Sequence, residues 1–213
     1  AEISVASFSI TGDTAFSEGF SASGKGIKAT FDDDDDIMVS VESLEGRIGY
    51  ITDKCDYVNF NVKNLKVVGD DSDISAESLK LVVKYPSGDE GSIDASDFSI
   101  TDDVINGKIT IKNTRDDFNF DMEFGPQADV TVENSYFDEV KISSGAKVNG
   151  TFLFDDYSEG IEFADGSELM IDDDTRGIIM TVTVENSTFK SATLALKDGF
   201  VSIPEHTDGV PYT

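Results

Sequence analysis

The chain has 213 residues, 43 Asp+Glu against 16 Lys+Arg, and a net charge of -27. That charge repels phosphate backbones and argues against direct nucleic-acid binding, and no apolar run approaches the roughly 18 residues of a membrane-spanning helix. One Cys and one His leave no internal disulfide, no multi-Cys metal site and no His-rich zinc centre.

A hydrophobic content of 38% with 15 Phe supports a packed core rather than a disordered acidic tail. Asp, Ser, Thr, Gly and Asn dominate the polar residues, and these favour turns and caps over helix interiors. Ala1 reads as a mature end left by signal-peptide cleavage, which places the chain outside the cell.

Period-two alternation runs through the sequence. In residues 1–12, Ile3 and Val5 fall on one side of a strand, and Phe8 and Ile10 on the other. This segment reads as an N-terminal extension able to act as a donor strand. The Gly/Ser-rich residues that follow make 13–26 a flexible connector, with one β-sandwich domain over 27–213. A strand at 27–31 meets five aspartates. Ile37, Val39 and Val41 alternate behind them. Val58, Phe60 and Val62 alternate next, then shift phase to Leu65 and Val67, as a β-bulge would make them do. Ser75 caps a short helical turn over 75–79, and Leu79, Leu81, Val83 and Tyr85 form one face of a strand ending in the turn Tyr85-Pro86-Ser87-Gly88-Asp89.

Further strands fall at 108–112, 118–124, 129–137, 139–142, 148–154, 160–163, 168–171, 178–184, 192–196 and 200–203. Asn106-Gly107, Asn149-Gly150, Asp165-Gly166, Asp198-Gly199 and Asp208-Gly209 carry turn or tight-hairpin signals. The fold class is all-β, a jelly roll or β-sandwich with an extended N-terminal strand. Val130-Thr131-Val132-Glu133-Asn134-Ser135 recurs as Val182-Thr183-Val184-Glu185-Asn186-Ser187, which keeps a right-handed parallel β-helix as the alternative.

The acids cluster between strands. Asp32, Asp33, Asp34, Asp35 and Asp36, then Asp70, Asp71 and Asp73, then Asp172, Asp173 and Asp174 are candidate ligands for Ca²⁺, which takes six to eight oxygens. Asp71-Ser72-Asp73 opens like an EF-hand loop but lacks its later Gly and Glu, so the signal is compositional. A solvated acidic surface is the plainer alternative.

Catalytic signals are lacking, and the chain reads as a non-enzyme. His206 sits in a Pro-flanked tail, and Cys55 lies among acids that disfavour a thiolate. No Gly-rich phosphate loop follows a strand. Glycans remain a partner class, although no Trp and only six Tyr are available for stacking. Asn149 and Asn186 head glycosylation sequons.

Ala15-Phe16-Ser17-Glu18-Gly19, Phe60-Asn61-Val62-Lys63-Asn64 and Leu79-Lys80-Leu81, in this order over roughly the first 85 residues, resemble secreted fibre subunits of the TasA/camelysin type and archaeal bundling-pilus and cannula proteins. The resemblance implies a jelly-roll domain, donor-strand polymerisation, and Ca²⁺ at subunit contacts in the cannula branch. The expectation is a secreted structural subunit that assembles with itself into a filament or tube, through Ile3, Val5, Phe8 and Ile10 and with Ca²⁺ assisting. A cell-surface adhesin or Ca-dependent glycan-binding module is the first alternative, and a viral capsid or tail protein the second.

Overall fold

The computed structural model describes residues 2–11, 20–31, 37–52, 55–69, 73–115, 121–143, 145–153, 160–163, 168–171, 178–185, 188–196 and 201–202; past residue 162 the description is of backbone only. The chain is all-β, an open sheet of many strands of the kind from which sandwiches and jelly rolls are built. It divides into two compact units, residues 1–102 and 103–213, where one domain over 27–213 was expected.

Unit 1 is an antiparallel meander. It runs through β1 (Glu2–Thr11), β2 (Phe20–Phe31), β3 (Ile37–Thr52), β4 (Cys55–Val68), β5 (Asp73–Lys84) and β6 (Glu90–Thr101), each strand paired to the next. The register is dictated by side-chain chemistry. One transverse row reads Ile3, Ala29, Val39, Val67, Ile74, Ile100, and two others read Phe8, Gly24, Leu44, Val62, Leu79, Ala95 and Ile10, Ala22, Gly46, Phe60, Leu81, Ile93. Between them run polar rows, such as Ser7, Lys25, Ser43, Lys63, Ser78, Ser96. A one-residue slip would set every apolar side chain against a serine or lysine.

Each strand carries the same split spacing, with apolar or small residues at x, x+2, x+5 and x+7. The phase change therefore falls on one line across the sheet, through Ala6, Gly26, Glu42, Asn64, Glu77 and Asp97. Pairing flanks that line without a change of register, as in Val41↔Leu65 and Ser43↔Lys63. No residue is inserted at 62–65, so the expected bulge is replaced by a change of backbone conformation. Gly26, Asn64 and Asp97 have φ of 62°, 49° and 49°, and Gly, Asn and Asp are the residues that best tolerate the left-handed region. A phase change in one strand alone would misalign it with both neighbours. Made in all six together, it keeps apolar opposite apolar on both sides.

The glycines of β2 and β3 make space rather than slack. A Cβ on Gly24 would overlap the ring of Phe8, and one on Gly46 would lie 2.5 Å from Cζ of Phe60. An aromatic ring laid over the opposing glycine in this way supports a bare stretch of sheet. Residues 20–26, expected to be connector, are therefore strand; residues 12–19 lie outside the described residues. Residues 75–79 are likewise strand rather than helical turn, because Ala76 and Leu79 continue apolar rows while Ser75 and Ser78 continue polar ones. The 85–89 turn is as expected, with the Gly88 amide donating to the Tyr85 carbonyl at 2.9 Å and the Tyr85 amide to Asp89 at 3.1 Å.

Unit 2 comprises β7 (Val104–Lys112), β8 (Asp121–Tyr136), β9 (Glu139–Ile142), β10 (Lys147–Leu153), β11 (Gly160–Phe163), β12 (Glu168–Ile171), β13 (Ile178–Glu185), β14 (Thr188–Leu196) and β15 (Val201–Ser202). β8 pairs in parallel with β7, β9 and β10, and β9 with β11. The pairs β10–β13, β13–β14, β11–β12 and β12–β15 are antiparallel. β8 thus runs between β7 on one side and β9 and β10 on the other. Ile109, Val130 and Val148 form one buried stack, and Phe124 pairs with Ile142 in another. Among the described residues, thirteen of the twenty buried apolar ones lie between Ile109 and Ile161, so the dense core described belongs to this unit.

Ile109-Thr110-Ile111-Lys112-Asn113-Thr114 lies directly on Val130-Thr131-Val132-Glu133-Asn134-Ser135. Lys112 and Glu133 pair at 2.8 Å, Asn113 and Asn134 turn the chain at φ of 50° and 44°, and the Thr114 amide donates to Ser135 Oγ at 3.2 Å. The later copy of the motif meets the stack differently, with Val182 antiparallel to Val148.

Asn106-Gly107 and Asn149-Gly150 are not hairpin turns. Both lie inside strands, at register shifts between Ile105 and Gly107 and between Gly150 and Phe152. Gly107 has φ of 119°, and at Gly150 the glycine serves close backbone approach. Gly150 has φ of 139°, and a Cβ would overlap the Val132 carbonyl. Gly150→Ala should therefore lose about 3 kcal/mol of stability in denaturant titration. Gly88→Ala, whose Cβ meets nothing within 4 Å at φ of 91°, should lose only about 1 kcal/mol.

Candidate functional site

The residues singled out as a polymerisation strand lie together on β1, the first strand of the meander. Ile3, Val5 and Ile10 are 58%, 40% and 51% exposed, while Phe8 is half-buried against Gly24. β1 pairs with β2 along one side, and no described strand pairs with its other side. Edge strands are normally guarded by Pro, Lys or inward charge. β1 has neither Pro nor Lys, and its one charge, Glu2, is held to Lys28 at 2.9 Å. That ion pair and hydrogen bond hold the Glu2 carboxyl below the usual carboxylate range.

A second feature was not anticipated. The polar rows of β1–β4 line two overlapping depressions of about 520 and 500 Å³, which share Ser9, Ser23, Glu45 and Asn61. Lys25 and Lys63 border one, and Arg47 and Asn59 the other. Glu45 accepts from Ser23 Oγ and Asn61 Nδ2, each at 3.4 Å. Arg47 Nε donates to Asn59 Oδ1 at 2.9 Å, and its guanidinium lies 4.1 Å over the Tyr57 ring. The signal was present in the alternation, since Ser21, Ser23 and Lys25, or Asn59, Asn61 and Lys63, occupy every second position between the apolar residues.

The acidic candidates are mostly outside the described residues: Asp32, Asp33, Asp34, Asp35, Asp36, Asp70, Asp71, Asp172, Asp173 and Asp174. Asp73 opens β5, and its Oδ1 is buried without a hydrogen-bond partner. The register brings the strand ends flanking 32–36 and 70–72 to one end of the sheet, through Phe31↔Ile37, Met38↔Val68 and Val68↔Asp73. Among the described residues no group of three or more metal-ligating side chains forms. His206 and Asn186 lie outside the described residues. Asn149 Nδ2 donates to the Val130 carbonyl at 3.1 Å and to Thr131 Oγ1 at 3.4 Å, so this amide holds β10 to β8 and is not presented as a glycan acceptor. No helix among the described residues is long and apolar enough to cross a membrane.

No protein-family model, curated protein or solved structure matches the chain.

Cys55 is 1% exposed. Burial first, and the Asp56 charge second, push its thiol pKa up. Folding thus favours the neutral thiol, and this contribution is complete below the unfolded thiol pKa and fades as pH rises through the folded one. A thiol reagent at pH 8 should leave Cys55 unmodified in the native chain and modify it fully in denaturant. Rapid native labelling would contradict the burial.

Proposed function

We propose that the chain is an extracellular structural subunit that polymerises with itself by exchanging β1. The observation that carries this reading is the character of β1. It is ten residues long, nearly uncharged in a chain of net charge -27, attached along one side, and exposes Ile3, Val5 and Ile10. Among the described residues, release of β1 breaks only the β1–β2 ladder. The same ladder re-forms in identical register when β1 meets β2 of a second copy. Such exchange is a low-cost route to assembly, and it propagates into an open filament when the subunit rotation does not close.

Charge sets the condition for assembly. Subunits this acidic repel one another, so a cation between them favours association. Loop carboxylates of this kind suit Ca²⁺, and weak sites fill at the 10⁻⁴–10⁻³ M affinities typical of extracellular modules. The common sheet end flanked by residues 32–36 and 70–72, with the unpartnered Asp73 Oδ1, is where this reading places the ion.

Ser9 and Ser23 are directly opposed on β1 and β2. A Ser9→Cys/Ser23→Cys variant, oxidised as the monomer, should stay monomeric with Ca²⁺ in light scattering and negative-stain microscopy. The reduced variant and the native chain should form filaments that EDTA disperses. Filaments from the oxidised variant would rule out exchange, and a native chain that stays monomeric in millimolar Ca²⁺ would rule out polymerisation.

A further inference from the structure

We propose that the polar face of β1–β4 is a binding groove for an acidic polysaccharide, a linear polymer carrying uronate carboxylates. The chain has 43 acidic residues against 16 basic ones, yet the two depressions are lined by Lys25, Lys63 and Arg47 with Glu45 as the one acid. Among the described residues Lys25, Lys63 and Arg47 enter no ion pair, as is also true of Lys66, Lys108 and Lys147, while Lys28, Lys80, Lys84, Lys112 and Lys141 are paired. The acidic surface around this net positive face repels an anion while the face attracts it, so an anion is steered to the face.

Serine hydroxyls and the amides of Asn59 and Asn61 supply the donors and acceptors that sugar hydroxyls need. Glu45 is already engaged by Ser23 and Asn61, so it acts as an acceptor fixed within the row. Arg47 is held by Asn59 and by the Tyr57 ring, which pre-orders its planar fork for a carboxylate. The two depressions share residues and so form one open trough. Lys25 and Lys63 stand about 10 Å apart across β3. That spread suits successive carboxylates of an extended chain better than a single small anion.

A single-stranded nucleic acid is the competing polyanion. It would need open aromatic rings on which bases stack. Phe8 and Phe60 border the depressions, but each ring is laid over the opposing Gly24 or Gly46, and Tyr57 is capped by Arg47, so none of these rings is free on both faces.

The test uses the whole chain at a concentration where it is monomeric, in EDTA so that Ca²⁺ cannot bridge carboxylates. Titration calorimetry compares polygalacturonate, neutral dextran and an oligothymidylate. Binding to polygalacturonate that weakens with salt, with no binding to dextran, is expected. Lys25→Glu/Lys63→Glu should weaken it by about tenfold or more, equal to at least about 1.4 kcal/mol, and Arg47→Gln should weaken it as well, each without lowering the melting temperature. Absent polygalacturonate binding, binding untouched by these substitutions, or tighter binding of the oligonucleotide would each overturn the proposal. Because the assay reads monomers, its outcome is independent of whether β1 exchanges.

Discussion

The register of the meander rests on one constraint, the alignment of a split apolar spacing across six strands. Antiparallel neighbours oppose x with x+7 and x+2 with x+5, so the spacing reads the same in both strand directions. Any strand carrying it therefore fits any other. Rows of Val, Leu and Ile then face each other on both sides of the line through Gly26, Asn64 and Asp97. The alternative registers set apolar groups against Ser and Lys, and each mismatch forfeits cross-strand contacts of roughly 0.2–1 kcal/mol. The three left-handed residues of the line are Gly, Asn and Asp, the types that adopt that conformation at least strain.

The same constraint separates chemistry between the rows. Because the apolar residues take one set of positions, the intervening ones are free to carry Ser, Asn, Lys and Arg. The trough on β1–β4 and the paired charges Lys80–Asp94 at 3.4 Å both follow from that alternation. It also gives β1 its character. The strand must present Ile3, Val5, Phe8 and Ile10 to match β2, yet nothing described lies beyond it, so those groups remain partly in water. An edge with this composition is a template for another strand. In unit 2 a left-handed Asn again marks the change of course, at Asn113 and Asn134, but parallel stacking there buries the apolar groups almost completely.

Much of this was legible in the sequence. Period-two runs located the strands, the 85–89 turn was evident from its Pro, Ser and Gly, and the two-sided pattern of residues 3–10 was visible at once. The phase shift at 62–65 was also seen, but its cause was not. One strand alone suggests a bulge, and only the pairing of all six reveals a shared line. The Gly/Ser stretch misled because glycine signals flexibility in composition, whereas Gly24 is required by the Phe8 ring opposite it. Asn149-Gly150 misled in the same manner, since close approach to a parallel neighbour demands glycine as firmly as a hairpin does, and Asn106-Gly107 marks a register shift inside a strand. The stacking of residues 109–114 on 130–135 was hidden because it preserves chemistry rather than identity, with Lys112 facing Glu133 and Thr114 facing Ser135.

The proposed assembly passes β1 from one subunit to the next. Co-assembly of two singly substituted chains, one Ser9→Cys and the other Ser23→Cys, tests it most directly. Neither chain can form a disulfide between positions 9 and 23 within itself. After assembly in Ca²⁺ and mild oxidation, a disulfide-linked dimer of the two chains on a non-reducing gel is the predicted result. Filaments that form without that dimer would contradict the claim.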